Sequence, residues 1–456
     1  MDPILYWNEV ALEVHRRDFS FPLDANGKEI GPQQGGPTRT SRALAIVHCA
    51  MYDAWNGASS TPNSYLSSKG VTPPAVIPGS SIDAAVAGAA TSTLKALFSN
   101  SAAYIEDRMQ NFFAKFMPPL PTPSQMSDGA DYGRRIAQAM LDLRKNDGAD
   151  LPDGYVGGNA PGDHRPDPYN PNQGYLGARW GEVKPFCIES TGMEPLANYL
   201  PAYPAFGTPG YNTDLLEVRR KGARSRGTGA TARTATEEAT GLYWAYDGAK
   251  DLGTPPRLYN QIVRAIADKQ GNTHAANARL FALVNAGMAD AGIIAWRAKY
   301  FYNLWRPVIG VREDDSGTGP TGLGTGSAAG GDPFWEPYGA PNSNRKGVKH
   351  FTPNFPAYPS GHATFGTTVF EIVRAFYPAV TVEFDFVSDE LNGKTLDVDG
   401  SVRTYMKRHY NLTNAIAENL SSRVWLGVHW RFDGDGGKSA GAAVATRVMA
   451  GTTCFP

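Results

Sequence analysis

From His274 to about Trp305 the chain reads as one long helix, halted by Pro307, whose ring cannot continue it. The same signature recurs along the sequence. Over 38–57, Leu44, Val47, Met51 and Trp55 return at about 3.6-residue spacing, which predicts a helix. Residues 81–99, 102–117 and 125–146 predict three more, the last stopping at Asn146-Asp147-Gly148. Thr234-Ala235-Thr236-Glu237 is a capping box, and Thr254-Pro255-Pro256 starts a helix that runs to about Lys269. Further helices are expected at 361–377, about 412–430 and about 436–449. No stretch carries a convincing period-2 alternation, and no fixed-period repeat is visible. The expected fold class is all-α, predominantly helical.

Two long loop regions interrupt the helices, Gly148 to about Asn212 and Asp314 to Pro359. A chain with 50 Gly and 34 Pro but 11% aromatic residues predicts long ordered loops rather than disorder. The first region is too long for a plain connection, so it is expected to wrap on the helices or act as a lid. The basic segment Arg219–Arg233 reads as a solvated loop. The organisation expected is one domain over 1–456: an N-terminal helical half (1–147), a loop-rich excursion (148–233) and a second helical half (234–456). A net charge of -1 argues against a nucleic-acid partner or an anionic membrane. The N-terminus lacks the basic and apolar regions of a signal peptide. No apolar run approaches the ~20 residues of a membrane span, so a soluble protein is expected. Cys49, Cys187 and Cys454 have no metal-ligand spacing and allow one bridge at most.

The chemistry concentrates in three places. In Pro359-Ser360-Gly361-His362, Ser360 stands where an N-cap belongs, so the next residues point free N–H groups out of a helix end. Such an end attracts an anion; Gly361 lets it approach the backbone, and His362 is placed to move a proton. Lys299 and Arg306 are seven residues apart, within roughly 20° on a helix. Two cations so close repel unless an anion joins them, and the aromatic surroundings, Trp296 among them, argue against a wet basic stripe. Arg423 and His429 are six apart and do not share a helical face, but they converge if the helix ends near Gly427. Asp433 is spaced to orient the His429 imidazole. Three cations, a hydroxyl, a backbone donor and two imidazoles suit a tetrahedral or trigonal oxyanion. The same charges would repel a bare metal cation.

The blocks Lys-x6-Arg-Pro (Lys299, Arg306, Pro307), Pro-Ser-Gly-His (359–362) and Ser-Arg-x5-His-x3-Asp (Ser422, Arg423, His429, Asp433) resemble those of the vanadium-dependent haloperoxidases. Type 2 phosphatidic acid phosphatases and bacterial acid phosphatases share the pattern. Longer runs, such as Trp244-Ala245-Tyr246-Asp247-Gly248 and Phe355 through Gly366, resemble the chloroperoxidase branch. The resemblance implies two four-helix bundles and a vanadate cofactor. It assigns His429 as the axial ligand of vanadium. Lys299, Arg306, Arg423, Ser360 and the Gly361 N–H would hold the other oxygens. His362 would be the acid–base residue, and Asp247 the carboxylate paired with the binding arginine. Trp296 and Phe355 would flank the halide, and phenylalanine at 355 leans toward chloride.

The activity so implied is oxidation of halide by hydrogen peroxide to hypohalous acid, which a small organic acceptor can consume. The main rival is a phosphatase with His429 as nucleophile and His362 as acid. The aromatic neighbourhood of Trp296 and Phe355 speaks against it. A silent oxyanion-binding protein is a third reading, and it leaves His362 without a task. Relatives can be secreted without an obvious signal, so the compartment stays open, as does the oligomeric state.

Overall fold

The computed structural model describes residues 1–114, 121–188, 194–229, 232–450 and 454–455. The N-terminal half carries α1 (Pro3–Asp18), α2 (Gly36–Ala58), α3 (Tyr65–Ser68), α4 (Ile82–Leu97), α5 (Ala102–Ala114) and α6 (Pro123–Arg144). The excursion adds α7 (Pro209–Lys221). The second half carries α8 (Ala235–Tyr243), α9 (Pro255–Gln270), α10 (His274–Tyr302), α11 (Pro307–Gly310), α12 (Gly361–Phe376), α13 (Leu412–Trp425) and α14 (Arg431–Ala450). Caps set the starts: Ser81, Thr122, Thr234, Thr273 and Ser360 each accept a backbone N–H from the first turn. The all-α expectation holds. The end of the helix expected over 102–117 falls outside the described residues.

Helix α2 lies along α4, α6 and α10, and α12 lies along α10, α13 and α14. Two groups of four helices thus meet at α10, which belongs to both. Enclosure from two sides is why α10 is apolar almost all round rather than along one stripe. It is long and apolar enough to cross a membrane, against the expectation of no such run, yet 94% of that stretch is buried inside the molecule. Small residues let α6 approach α4: a Cβ on Gly133 would come within 1.9 Å of the Ala85 carbonyl oxygen.

Three expectations need correction. A short antiparallel pair does form, β1 (Glu383–Val387) with β2 (Lys407–Asn411). Phe384 is buried and Phe386 nearly so, while Glu383 and Asp385 face water; this is the period-2 pattern, confined to five residues. Arg219–Lys221 close α7 instead of lying in a loop. The cations that follow are paired rather than merely solvated: Arg233 is buried against the Lys221 and Ala223 carbonyls, and Arg226 pairs with Glu238.

One carboxylate gathers three of the N–H groups that fasten the excursion to the bundle. Asp290, fully buried on α10, accepts the N–H groups of Phe186, Cys187 and Ile188 at 2.6, 2.8 and 2.9 Å. The three cysteines are free and buried.

Two buried histidines make the N-terminal half acid-sensitive. His15 Nε2 accepts the Thr254 N–H, and His48 lies between the Leu44 carbonyl and the Asn8 amide. Burial pushes His15 down to about 3 and His48 down to about 4, from 6.5. The unfolded chain therefore takes up these protons first as pH falls below 6.5. Stability is full above that value and declines toward pH 4, by up to roughly 1.4 kcal/mol per pH unit for each ring. The urea midpoint at pH 5 is expected to lie clearly below that at pH 7. An unchanged midpoint would mean that both rings charge inside the fold.

Candidate active site

The segments expected to carry the chemistry converge at one cavity of about 520 Å³. Its floor holds Gly361, His362, Arg423 and His429, with Asp247, Trp296 and Phe355 in its walls. Ser360, Lys299 and Arg306 lie just behind them and are buried. Every residue singled out in the sequence is in this one neighbourhood.

Local structure explains how each arrives. Helix α13 stops at Trp425, and Gly427 turns the chain with φ +71°. A side chain there would strike the Gly222 carbonyl at 2.3 Å, so this turn requires glycine. The turn brings His429 round to Arg423, which a continuous helix would forbid. His429 Nδ1 lies 2.7 Å from Asp433 Oδ2, in the first turn of α14, and the Trp430 N–H also donates to that oxygen. That oxygen, an acceptor toward Trp430, accepts from His429 Nδ1–H as well and so leaves the ring's lone pair on Nε2. Arg306 Nη1 sits 3.0 Å from that Nε2 and also donates to the Val428 carbonyl. Arg306 Nε donates to the Phe355 carbonyl.

Arg423 forms a two-pronged pair with Asp247, Nη2–Oδ1 2.7 Å and Nη1–Oδ2 3.0 Å. Ser360 caps α12 by accepting the Ala363 N–H, and its own N–H donates to the Asp433 carbonyl oxygen, tying the two helix starts together. His362 Nε2 is 2.5 Å from the Ala245 carbonyl oxygen. A carbonyl only accepts, so Nε2 carries the proton and Nδ1 is the nitrogen able to receive one.

Lys299 contributes charge more than a free donor. Its ammonium gives protons to the carbonyls of Pro356 and Ala357, both at 3.0 Å, and of Pro359. It lies over the rings of Trp296 and Phe355, 5.6 and 5.2 Å from their centroids. All three N–H groups hold the segment that leads into Ser360, so one must be released for Lys299 to reach a ligand oxygen. Trp296 and Phe355 pack with centroids 4.7 Å apart, and Trp296 Nε1 donates to the Leu176 carbonyl.

The electrostatics are those of a buried cationic cage. Burial, then the neighbouring Arg306, drives Lys299 well below its usual value. Burial pulls Arg306 down to about 9. Burial and then the site's cations hold both imidazoles neutral, His429 well below the usual histidine range and His362 at about 3. Burial pushes Asp433 up to about 8, with Lys299 the main pull the other way. Arg306 Nη2 and Arg423 Nε are buried donors with no partner among the described residues. Unpaired buried N–H groups on two guanidinium ions, beside a neutral imidazole nitrogen, suit an oxyanion. Among the described residues no His, Cys, Asp and Glu cluster gathers to hold a metal cation.

Sequence reasoning missed the supports. The Ala245 carbonyl that orients His362 comes from a turn in which Tyr246 takes φ +47°, anchored by its N–H on Glu390. Tyr259 Oη and Asn419 Nδ2, both 2.9 Å away, donate to the His362 carbonyl. No local signal marks such partners, because each comes from a distant element.

Residues 1–173 match the family model for the vanadium chloroperoxidase N-terminal domain, and 279–454 match that for the second helical-bundle domain. The chain is 32% identical to the vanadium chloroperoxidase of Curvularia inaequalis, over 99% of this chain and 80% of that protein. Among solved structures, it resembles the first bacterial vanadium-dependent iodoperoxidase with a TM-score of 0.73 at 19% identity, covering 97% of this chain and 94% of the other. An apo-type bacterial vanadium-dependent chloroperoxidase gives a TM-score of 0.62 at 15% identity, covering 96% and 98%.

Proposed function

The chain belongs to the vanadium haloperoxidase family, and on that premise we propose that it binds vanadate at His429 and uses hydrogen peroxide to oxidise bromide and chloride to hypohalous acid. The observation that carries the reading is the pair of orphaned guanidinium donors, Arg306 Nη2 and Arg423 Nε, around the His429 lone pair. The fit is chemical as well as numerical. Arginine forks, the Ser360 hydroxyl and the N-terminus of α12 all donate, and vanadate oxygens accept.

In this reading His429 Nε2 would hold the vanadium, and Asp433 fixes the tautomer of the ring. Arg306, Arg423, Ser360 and the Gly361 N–H would hold its oxygens, while Lys299 would add positive charge from behind. When bound, vanadate supplies a Lewis-acidic centre that activates peroxide toward halide without changing its own oxidation state. His362 Nδ1, neutral at working pH, accepts the proton that incoming peroxide must lose. Asp247 keeps Arg423 in place and stands 4.0 Å from His362 Nε2, where it stabilises the ring once protonated. Trp296 and Phe355 give halide a dry, aromatic wall.

The test is halide oxidation by the purified protein with and without orthovanadate, with chloride and bromide in parallel and phosphate as competitor. Vanadate-dependent turnover suppressed by phosphate is the expected result. Hydrolysis of a phosphate monoester inhibited by vanadate, with no halide oxidation, would instead establish the phosphatase. Asp433→Asn is expected to weaken vanadate binding by roughly 10- to 100-fold, measured by equilibrium dialysis, because the tautomer of His429 is no longer held. Unchanged affinity would separate His429 from the cofactor.

A further inference from the structure

The cavity above the site is much larger than halide and peroxide require. A water molecule takes about 30 Å³ of liquid, whereas the cavity holds about 520 Å³. Its upper walls come from loops that play no part in holding an oxyanion. One is the segment 19–35, which contributes Phe19, Phe21 and Pro32; another is the excursion, which contributes Gln173 and Leu176.

The segment 19–35 is built as a strap. At its base, Asp18 accepts the N–H groups of Gln33 and Gln34, both at 2.8 Å. At its far end, Glu29 pairs with Arg345 through both carboxylate oxygens, at 2.7 and 2.6 Å. Between these ties Phe21 is held at φ +48°, a conformation that costs a bulky residue of order 1 kcal/mol or more. The Arg345 guanidinium stands 5.3 Å from its ring centroid, and Phe19 meets it edge-on at 5.9 Å. Backbone strain maintained by an ion pair and a ring contact, on a residue lining the cavity, marks a position whose side-chain direction matters.

We propose that this chamber binds a neutral, flat, electron-rich organic acceptor, with Phe21 as a specificity-determining wall, so that halogenation takes place on the protein rather than in bulk solution. The inference rests on the haloperoxidase reading and deepens it. Aromatic and aliphatic walls suit a ring or an alkene, and the side-chain amide of Asn354 at the lining suits a phenolic hydroxyl. The step balances: hypobromous acid and an aryl C–H give an aryl bromide and water. The carbon–bromine bond forms as the O–Br bond breaks, the ring gives two electrons to bromine, and the ring proton leaves with hydroxide as water.

The probe is 1-naphthol, which reacts at two ring positions. Calorimetric titration into vanadate-free protein tests the chamber apart from turnover. Saturable binding is expected, weakened about fivefold in Phe21→Ala, the loss of about 1 kcal/mol of ring contact. With vanadate, peroxide and bromide, the ratio of 2- to 4-bromo product is then compared with that of reagent hypobromite. The protein is expected to depart from the reagent ratio by at least about threefold. Phe21→Ala and Arg345→Ala, which unclips the strap but leaves the ring, should both return the ratio toward the reagent. The ratio does not depend on how fast bromide is oxidised. Reagent-like ratios with intact bromide oxidation, or no saturable binding, overturn this proposal alone. Absence of any halide oxidation overturns the haloperoxidase reading and this proposal with it.

Discussion

His362→Ala is expected to lower halide turnover by roughly 10²- to 10⁴-fold, the range for loss of a positioned acid–base group, while vanadate affinity changes by less than about tenfold. The two effects separate because the ring plays two unequal parts. As a contact to a bound oxyanion it is one donor or acceptor among several, worth about 1.4 kcal/mol or less, which is tenfold in affinity. As a proton acceptor it has no substitute at the cavity floor. His429 is committed to Asp433 through Nδ1, and Asp247 is committed to Arg423. The tautomer matters as well: with the Nε2 proton on the Ala245 carbonyl, Nδ1 alone is basic. Burial and Arg423 keep His362 neutral well into acid, so in the absence of the cofactor it acts only as a base. Steady-state kinetics and equilibrium dialysis on the same preparation decide the matter. Turnover and vanadate affinity falling in step would make His362 a ligand of the cage instead of a proton carrier.

The largest stability effect is expected at Asp290, outside the cage. Asp290→Ala leaves the N–H groups of Phe186, Cys187 and Ile188 buried without an acceptor. Each costs about 1–3 kcal/mol, so a loss of about 3–9 kcal/mol is expected in urea unfolding. Asp290→Asn keeps one acceptor oxygen and should lose about half as much. The substitution also reaches the site, because the excursion places Leu176 against Trp296, with the Trp296 indole N–H on the Leu176 carbonyl. The variant is expected to hold 1-naphthol more weakly while retaining vanadate. An unaltered unfolding midpoint would show that the segment 186–188 is not anchored through Asp290.

The sequence alone marked most of the longer helices, α1 and α7 excepted, and the short blocks that hold the candidate site residues. Helical spacing, caps and prolines are local signals, and the helix over 361–377 appears one residue shorter in the structure. Candidate site residues were legible because anion-binding types recur in short blocks at fixed spacing. Tertiary structure decided what each of them touches. That Lys299 spends its protons on three carbonyls, that Ala245 sets the His362 tautomer, and that Asp290 fastens the excursion are contacts between residues 57 or more positions apart. The short β1–β2 pair belongs with these, since five alternating residues form a strand only when a partner lies alongside. Pairings of this kind depend on burial and on where two distant backbones pass, and no window of local sequence contains either.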